Sequence, residues 1–452
     1  MKNIKFSYIS IALLLLLFVG KSNAQDIMEF DVDGIKVIYK QVPKEIVSAR
    51  FFVSGGTANY SVEQQGIENF AFNLAVSGGT KSMDKLAFSS NLEQMGSVIS
   101  AATDYDYGYF NLICVKEHWD NSWNLFSDAI VNPSFNEQEF GLLKEQLIAG
   151  AKQMEADADE SLRIAAMQNV FAGMNYAKVY NGTPESLESL SLEDLTNYYA
   201  KTVGKKRSFL VVIGDIDKKD LTAKIKASLA KLPEGTESTK EERIMLTDVK
   251  NKVIERDIAT NYIRGYMSAP LASDEDGPAM MIAMAILYDH YWTELRTKRS
   301  LSYAPSAAYA GSIINNPYNY IYISTTNPKE AIKVMVEELK KVKKDGFTEE
   351  ELINKQASYL TRYYMGQETL SSQSNSLGVA ELKGGWEMSQ DFTADVNAVT
   401  LEDINRVINK YTDVISWTYL GDAEQISEED FLQPVDLSKK MKGDSEMQKA
   451  AE

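Results

Sequence analysis

One cysteine and two histidines are all that this 452-residue sequence offers to soft metal chemistry. Cys114 alone closes no intrachain disulfide and no thiolate cage, and its expected place is the core. His118 and His290 fall one in each half, neither with a second histidine at ligand spacing, so an imidazole-built zinc site is not expected. Basic charge is also short. The 47 Lys and Arg stand against 64 Asp and Glu, a net charge of −17, whose field repels nucleic acid and anionic lipid surfaces. No nucleic-acid partner is expected. Beyond the N-terminal leader no run of ~18 uncharged apolar residues occurs, so no later membrane-spanning helix is expected. Acidic clustering at Asp274, Glu275 and Asp276 lacks the spacing of a calcium-binding loop.

What is present begins with an export signal. Lys2 and Lys5 precede an apolar run from Ile11 to Val19, and Ser22-Asn23-Ala24 supplies the small residues read by a signal peptidase. Cleavage is expected after Ala24, releasing a chain with no stable membrane anchor into the periplasm or another exported compartment. No cysteine follows the cut to take a lipid. The alternative is an uncleaved N-terminal anchor using the same run.

The remainder reads as one unit written twice. Ser191-Leu192-Glu193-Asp194-Leu195 has the form of a helix start in which a hydroxyl accepts an orphan amide, and Thr400-Leu401-Glu402-Asp403-Ile404 repeats it. Each leads to a helix and then a strand ending in Gly-Asp, at Gly214-Asp215 and Gly421-Asp422. Phe135-Asn136-Glu137-Gln138-Glu139 likewise matches Phe347-Thr348-Glu349-Glu350-Glu351, each opening a long helix. Three pairs in one order are a duplication signal that convergent caps do not readily imitate.

Strands are predicted at Lys36 to Tyr39, Ser48 to Val53, Tyr107 to Val115 and Phe209 to Ile213. In the second half they fall at Val253 to Asp257, Tyr262 to Ser268, Tyr303 to Ser312 and Asn319 to Thr325. Helices are predicted at Gln64 to Val76, Glu137 to Met154, Pro278 to Thr297, Lys329 to Lys344 and Glu349 to Tyr363. The fold class is α+β: two tandem halves, residues 25–232 and 251–437, each an antiparallel sheet with helices on one face. The polar span 233–250 is the expected linker, and 438–452 a fraying tail.

The segment Leu295-Arg296-Thr297-Lys298-Arg299-Ser300-Leu301-Ser302-Tyr303 resembles the Leu-Arg-(x)6-Tyr segment of the insulinase/pitrilysin family of zinc metallopeptidases. Gly66-Ile67 and Gly79-Thr80 bracket a helix that in active members of that family carries an inverted zinc motif, H-x-x-E-H. The motif works because residues i and i+4 share a helix face, so two imidazoles converge on the metal while the Glu polarises a water. At those positions this chain has Asn69, Phe70, Ala71, Phe72 and Asn73. Neutral amides replace both imidazoles, and the family's third ligand registers near Gly150, with Glu145 and Glu155 out of step. Ile67, Phe70 or Ala71, and Leu74 form an apolar stripe suited to the core.

The resemblance implies two homologous halves closing around a chamber, no zinc on this chain, and a substrate-gripping role for Arg296 and Tyr303. The alternative is an ordinary basic helix end, where Lys298 and Arg299 also complement the macrodipole, with Tyr303 an inward-facing strand residue. The resemblance further implies that Gly96 to Thr103 is an edge strand receiving extended peptides, with Ser100-Ala101 where active members commonly show Asn-Ala. His118 is expected at the opening of a helix, and His290 in helix packing or in a polar role facing the chamber.

These observations lead to a non-catalytic subunit of a heterodimeric peptidase, inactive alone, whose homologous partner carries the zinc and to which it supplies Arg296 and Tyr303. The alternative is a peptide-binding or assembly module with no proteolytic role. A self-sufficient serine or aspartate hydrolase has no motif in this sequence.

Overall fold

The computed structural model describes residues 27–435. The expected leader cleavage at Ala24 and the tail 438–452 lie outside the described residues. The first half contributes strands β1 (Ile27–Val32), β2 (Ile35–Gln41), β3 (Ile46–Ser54), β4 (Val98–Thr103), β5 (Tyr107–Val115) and β6 (Ser208–Gly214). Its helices are α1 (Ile67–Ser77), α2 (Lys85–Met95), α3 (Trp119–Val131), α4 (Glu137–Ala156), α5 (Ala158–Val170), α6 (Pro184–Ser189), α7 (Leu192–Thr202) and α8 (Lys218–Ala227). The second half has β7 (Lys252–Glu255), β8 (Asn261–Ser268), β9 (Ser306–Tyr309), β10 (Tyr318–Thr325) and β11 (Ser416–Gly421). Its helices are α9 (Asp276–Tyr291), α10 (Pro328–Asp345), α11 (Glu349–Gly366), α12 (Leu370–Lys383), α13 (Met388–Ala398) and α14 (Leu401–Tyr411).

The duplication is explicit in the strand order. The first sheet runs β1-β2-β6-β3-β5-β4 and the second β7-β11-β8-β10-β9, so the second repeats the first without β1. The two strands ending in Gly-Asp, β6 and β11, occupy equivalent places. Both sheets are antiparallel except for one pair in each, β2 with β6 and β7 with β11. Those partners are separated by nearly a whole half, and a crossover of that length permits parallel pairing. The helix starts read from sequence are present: Ser191 Oγ accepts from Asp194 N at 3.1 Å while Asp194 returns the bond to Ser191 N, and Thr400 with Asp403 does the same.

The halves interlock rather than sit side by side. Helix α12, from the second half, lies on β3 and β6, and α5, from the first half, lies on β8 and β11. Each sheet is thus covered on both faces. On β6, Leu210 and Val212 face the helices of their own half, whereas Phe209, Val211 and Ile213 face Leu370 and Leu377 of α12. This explains why β6 is apolar throughout instead of alternating. Polar ties reinforce the exchange: Ser48 Oγ lies 2.9 Å from Ser374 Oγ, and Arg50 donates to Asn375 Oδ1 at 2.5 Å. Asp106 accepts from Ile314 N at 2.8 Å and from Asn315 Nδ2 at 2.7 Å.

Element bounds differ from the sequence reading by a few residues throughout, and two segments stand out. The strand expected from Tyr303 to Ser312 spans only Ser306–Tyr309, with Tyr303 in the loop before it. The expected linker carries no regular structure but is strapped down along its length. Thr236 O accepts from Arg207 Nε at 2.7 Å, Ile244 N donates to Asn316 Oδ1 at 2.7 Å, and Leu246 N donates to Ser268 Oγ at 2.8 Å. Among the described residues no helix is long and apolar enough to cross a membrane.

Candidate functional site

Helix α1 begins at Gly66, whose φ of 85° and closeness to Gly182 both require glycine; an added Cβ would stand 2.6 Å from the Gly182 Cα. The helix then buries three of its sides. Ile67, Phe70, Ala71, Phe72 and Leu74 are fully enclosed, Phe70 stacking on Phe140 of α4 at 4.9 Å and Phe72 meeting Phe110 of β5 at 4.6 Å between ring centroids. Phe72, at the position that the resemblance assigns to the family's catalytic Glu, is therefore a core residue. Only Asn69, Asn73 and Ser77, at successive i+4 positions, reach toward solvent.

The two asparagines are hydrogen-bonded to each other. Asn73 Nδ2 donates to Asn69 O and to Asn69 Oδ1, each at 2.8 Å. Asn69 and Gly150 line one open pocket of about 400 Å³, together with Gln146, Gln153, Asp157 and Glu160. Gly150, on α4, therefore lies near the Asn69 face of the helix. The donor set does not fit zinc, which takes His, Cys or carboxylate ligands. Asp157 caps α5 by accepting from Glu160 N at 2.9 Å, and Glu160 pairs with Arg163 at 2.9 Å. Among the described residues no group of three or more His, Cys, Asp and Glu is arranged to hold a metal ion.

A residue that the sequence reading passed over lies next to this face. Glu68 is 1 % exposed and accepts from the Tyr198 hydroxyl and from Asn59 Nδ2 at 3.1 Å. Asn59 in turn accepts from Arg207 Nη1 at 2.5 Å. Burial pushes the Glu68 carboxyl up to about 7, against the opposing pull of its hydrogen bonds and of Arg207. An acid inside an apolar helix start was visible in the sequence; its partners, scattered over residues 59, 198 and 207, were not.

In the second half, α9 passes into a π-helical turn, Trp292–Lys298, the wide winding often found at functional sites. Leu295 is fully buried and anchors the turn. Arg296, one residue on, extends outward with its Cζ 3.9 Å from the Trp292 ring centroid and 4.2 Å from that of Tyr303. The structure thus brings Arg296 and Tyr303 together and adds Trp292, whose i, i+4 spacing to Arg296 was the available signal. Tyr303 is 79 % exposed. Glu294, the nearby acid, is taken by Lys298 at 2.6 Å and by Arg299, and among the described residues Arg296 has no carboxylate partner. Stacking holds the guanidinium plane while leaving its N–H edge available to an acceptor.

Strand β4 is the outer strand of the first sheet and pairs on one side only, with Ser100 opposite Asn111 and Ala101 opposite Phe110. The edge position inferred for Ser100 and Ala101 is observed. The strand starts at Val98, because Gly96, with φ of 58°, ends α2 and the Ser97 side chain is buried against Ser122 at 2.7 Å. The pocket beside Asn69 and the Arg296 stack share no residue.

The histidines are accounted for. His118 ends a short turn before α3. His290 is held between two acids, Nδ1 at 2.7 Å from Glu338 and Nε2 at 2.6 Å from Glu351, and is a clamp joining α9, α10 and α11.

Comparison with known proteins gives a consistent result. The family model described as Insulinase (Peptidase family M16) matches residues 36–182, and that described as Peptidase M16 inactive domain matches residues 189–359. The non-peptidase homolog YmxG of Helicobacter pylori is 23% identical over 425 residues, 90% of this chain and 96% of that protein. The mitochondrial-processing peptidase subunit beta of Dictyostelium discoideum is 18% identical over 254 residues, 56% of this chain and 51% of that one. A crystal structure of a peptidase M16 inactive domain from Pseudomonas fluorescens superposes with a TM-score of 0.79 at 18% identity, covering 88% of this chain and 98% of that one.

Proposed function

The chain belongs to the insulinase family of peptidases and resembles a member named as a non-peptidase, and we propose that it is the non-catalytic subunit of a two-chain zinc peptidase. A homologous partner carries the H-x-x-E-H motif and the zinc, which when bound there activates a water and polarises the scissile carbonyl. This chain supplies Arg296 and Tyr303. The guanidinium edge, fixed between two rings, donates to a substrate carbonyl or to the oxyanion that develops from it, and the exposed phenol adds a second donor. An extended segment of unfolded polypeptide pairs through its main chain with the free edge of β4, largely without regard to sequence.

The observation that carries this reading is an asymmetry within one chain. The face that the resemblance assigns to the metal carries two hydrogen-bonded amides, a buried phenyl ring and a glycine, whereas the Arg296 stack is assembled, exposed and, among the described residues, without an acid partner. A relative named as a processing-peptidase subunit supports the division into subunits.

The test is to assay cleavage of an unfolded peptide by the isolated chain, by a zinc-bearing homologue from the same organism, and by the pair. The pair is expected to outperform either component, and the isolated chain to be inert. Zinc-dependent cleavage by the isolated chain overturns the reading. Peptide binding by this chain with no contribution to cleavage would instead favour a peptide-binding or assembly module, which the open edge of β4 also supports.

A further inference from the structure

We propose that the cleft between α9, α12 and α13 is a binding site for a small amphipathic carboxylate, an apolar body bearing one carboxylate, held at its charged end by Lys383. The cleft holds about 460 Å³ and is walled by Pro278, Met281, Tyr309, Val379, Met388 and Phe392. That size and apolar character, with a few polar groups, are those of a small-molecule site.

Two donors without acceptors open onto it. Lys383, the last residue of α12, lines the cleft, and among the described residues its ammonium has neither a hydrogen-bond acceptor nor a carboxylate within ion-pairing distance. Nearby acids do not serve it. Glu381 is paired with Lys36 at 2.7 Å, and Asp395, on the cleft rim, does not approach Lys383 closely enough to pair. Elsewhere in this chain a similarly shielded lysine finds its acid: Lys355, 15 % exposed, has Asp289 at 2.6 Å. Burial alone holds the Lys383 ammonium below the usual lysine range, the signature of a cation taken from water without compensation.

Asn375 is the second donor. Its carbonyl oxygen is committed to Arg50 at 2.5 Å, which leaves its NH2 group without an acceptor among the described residues. A ligand that accepts hydrogen bonds and carries one negative charge suits the cleft: its carboxylate pairs with Lys383, and Asn375, about 12 Å away along α12, offers its NH2 to any further acceptor. A dianion such as phosphate is disfavoured, because the cleft offers one cation, apolar walls and the acid Asp395 at its rim. The same chemistry comes from a free medium-chain fatty acid or from the C-terminal residue of a peptide ending in an apolar side chain.

Isothermal titration of the chain from Gln25 onward distinguishes these sources. The probes are octanoate against 1-octanol, and an N-acetyl peptide ending in Leu with a free carboxylate against the same peptide amidated. At least one acid is expected to saturate a single site, and its uncharged analogue to bind at least ~10-fold more weakly, about 1.4 kcal/mol. The tighter acid identifies the source. Lys383→Met is expected to reproduce the loss and Lys383→Arg to retain binding. Failure of both acids to saturate, equal affinity for the uncharged analogues, or unchanged binding by Lys383→Met overturns the proposal. Because the analogue comparison uses the unaltered protein, misfolding of a variant does not blur the answer. The readout is binding, so the outcome is independent of the two-chain peptidase.

Discussion

Gly378 of α12 lies so close to the Phe52 ring of β3 that a Cβ there would stand 2.0 Å from it. The helix belongs to the second half and the strand to the first, so this contact marks where the two halves lock. Phe52 has no room to yield, being stacked on Phe209 at 4.9 Å and flanked by Tyr107 and Tyr109. Gly378→Ala is therefore expected to lift α12 and destabilise the protein by about 1–3 kcal/mol. Thermal denaturation of the variant checks this; an unchanged midpoint would show that the contact relaxes at no cost.

Arg296 acts, in the proposed pair, through the planarity and fixed pose of its guanidinium. Arg296→Ala is expected to lower turnover on the order of 100-fold, the cost of losing one oxyanion donor. Arg296→Lys should not restore it, because an ammonium lacks the stacked fork. Trp292→Ala, which leaves the donor in place but frees it to move, should give a smaller loss of roughly tenfold or less. Steady-state kinetics of the reconstituted pair separates these cases. Rates unchanged from the unaltered pair in all three variants would remove the site from the mechanism.

Phe72 is the obstacle to restoring a metal motif in this chain. Phe72→Glu would place a carboxylate against Phe110 with nothing to receive it, so a loss above about 3 kcal/mol is expected. The same change in combination with Asn69→His, Asn73→His and Gly150→Glu should yield no zinc-loaded folded protein. Elemental analysis with circular dichroism decides the matter, and a folded quadruple variant holding one zinc would refute it.

His290 and Glu68 give the fold a shared pH dependence. The Glu338 and Glu351 carboxylates on either side of His290 raise its pKa above its ordinary 6.5. Its stabilising contribution is thus complete below about 6.5 and disappears as pH rises through the higher folded value. Glu68, raised by burial from 4.5 to about 7, has the same sign: the folded form keeps its proton longer, so stability falls as pH rises between those values. Urea midpoints should decline from mildly acidic to mildly alkaline pH. His290→Gln should flatten the upper part of that decline and Glu68→Gln the lower part. A decline equally steep in both variants would locate its cause elsewhere.

Much of the fold was legible because its signals are local. The caps at Ser191, Thr348 and Thr400 act within one helical turn, and β3, β5, β6, β8 and β10 are apolar enough to declare themselves. The helices that were not foreseen include the two that exchange between the halves, α5 and α12. Their contact faces mix apolar residues, such as Met167, Val170, Leu370 and Leu377, with small and polar ones, such as Ala166, Ser371, Ser374, Asn375 and Gly378, so the apolar signal along the chain is diluted. Strand β9 was overextended because the apolar and aromatic pattern continues into the loop that carries Tyr303.

By itself the sequence determined the duplication, the α+β class, the family and the want of a second histidine at ligand spacing, since each of these is written in residue identity and spacing along the chain. Tertiary structure alone decided that Phe72 is core, that Asn69 and Gly150 line one pocket, that Trp292 completes the Arg296 stack, and that Lys383 opens onto a largely apolar cleft with no ion-pair partner among the described residues. Those facts depend on distances between groups remote in the chain or on the winding of a single turn, and linear spacing does not fix either one.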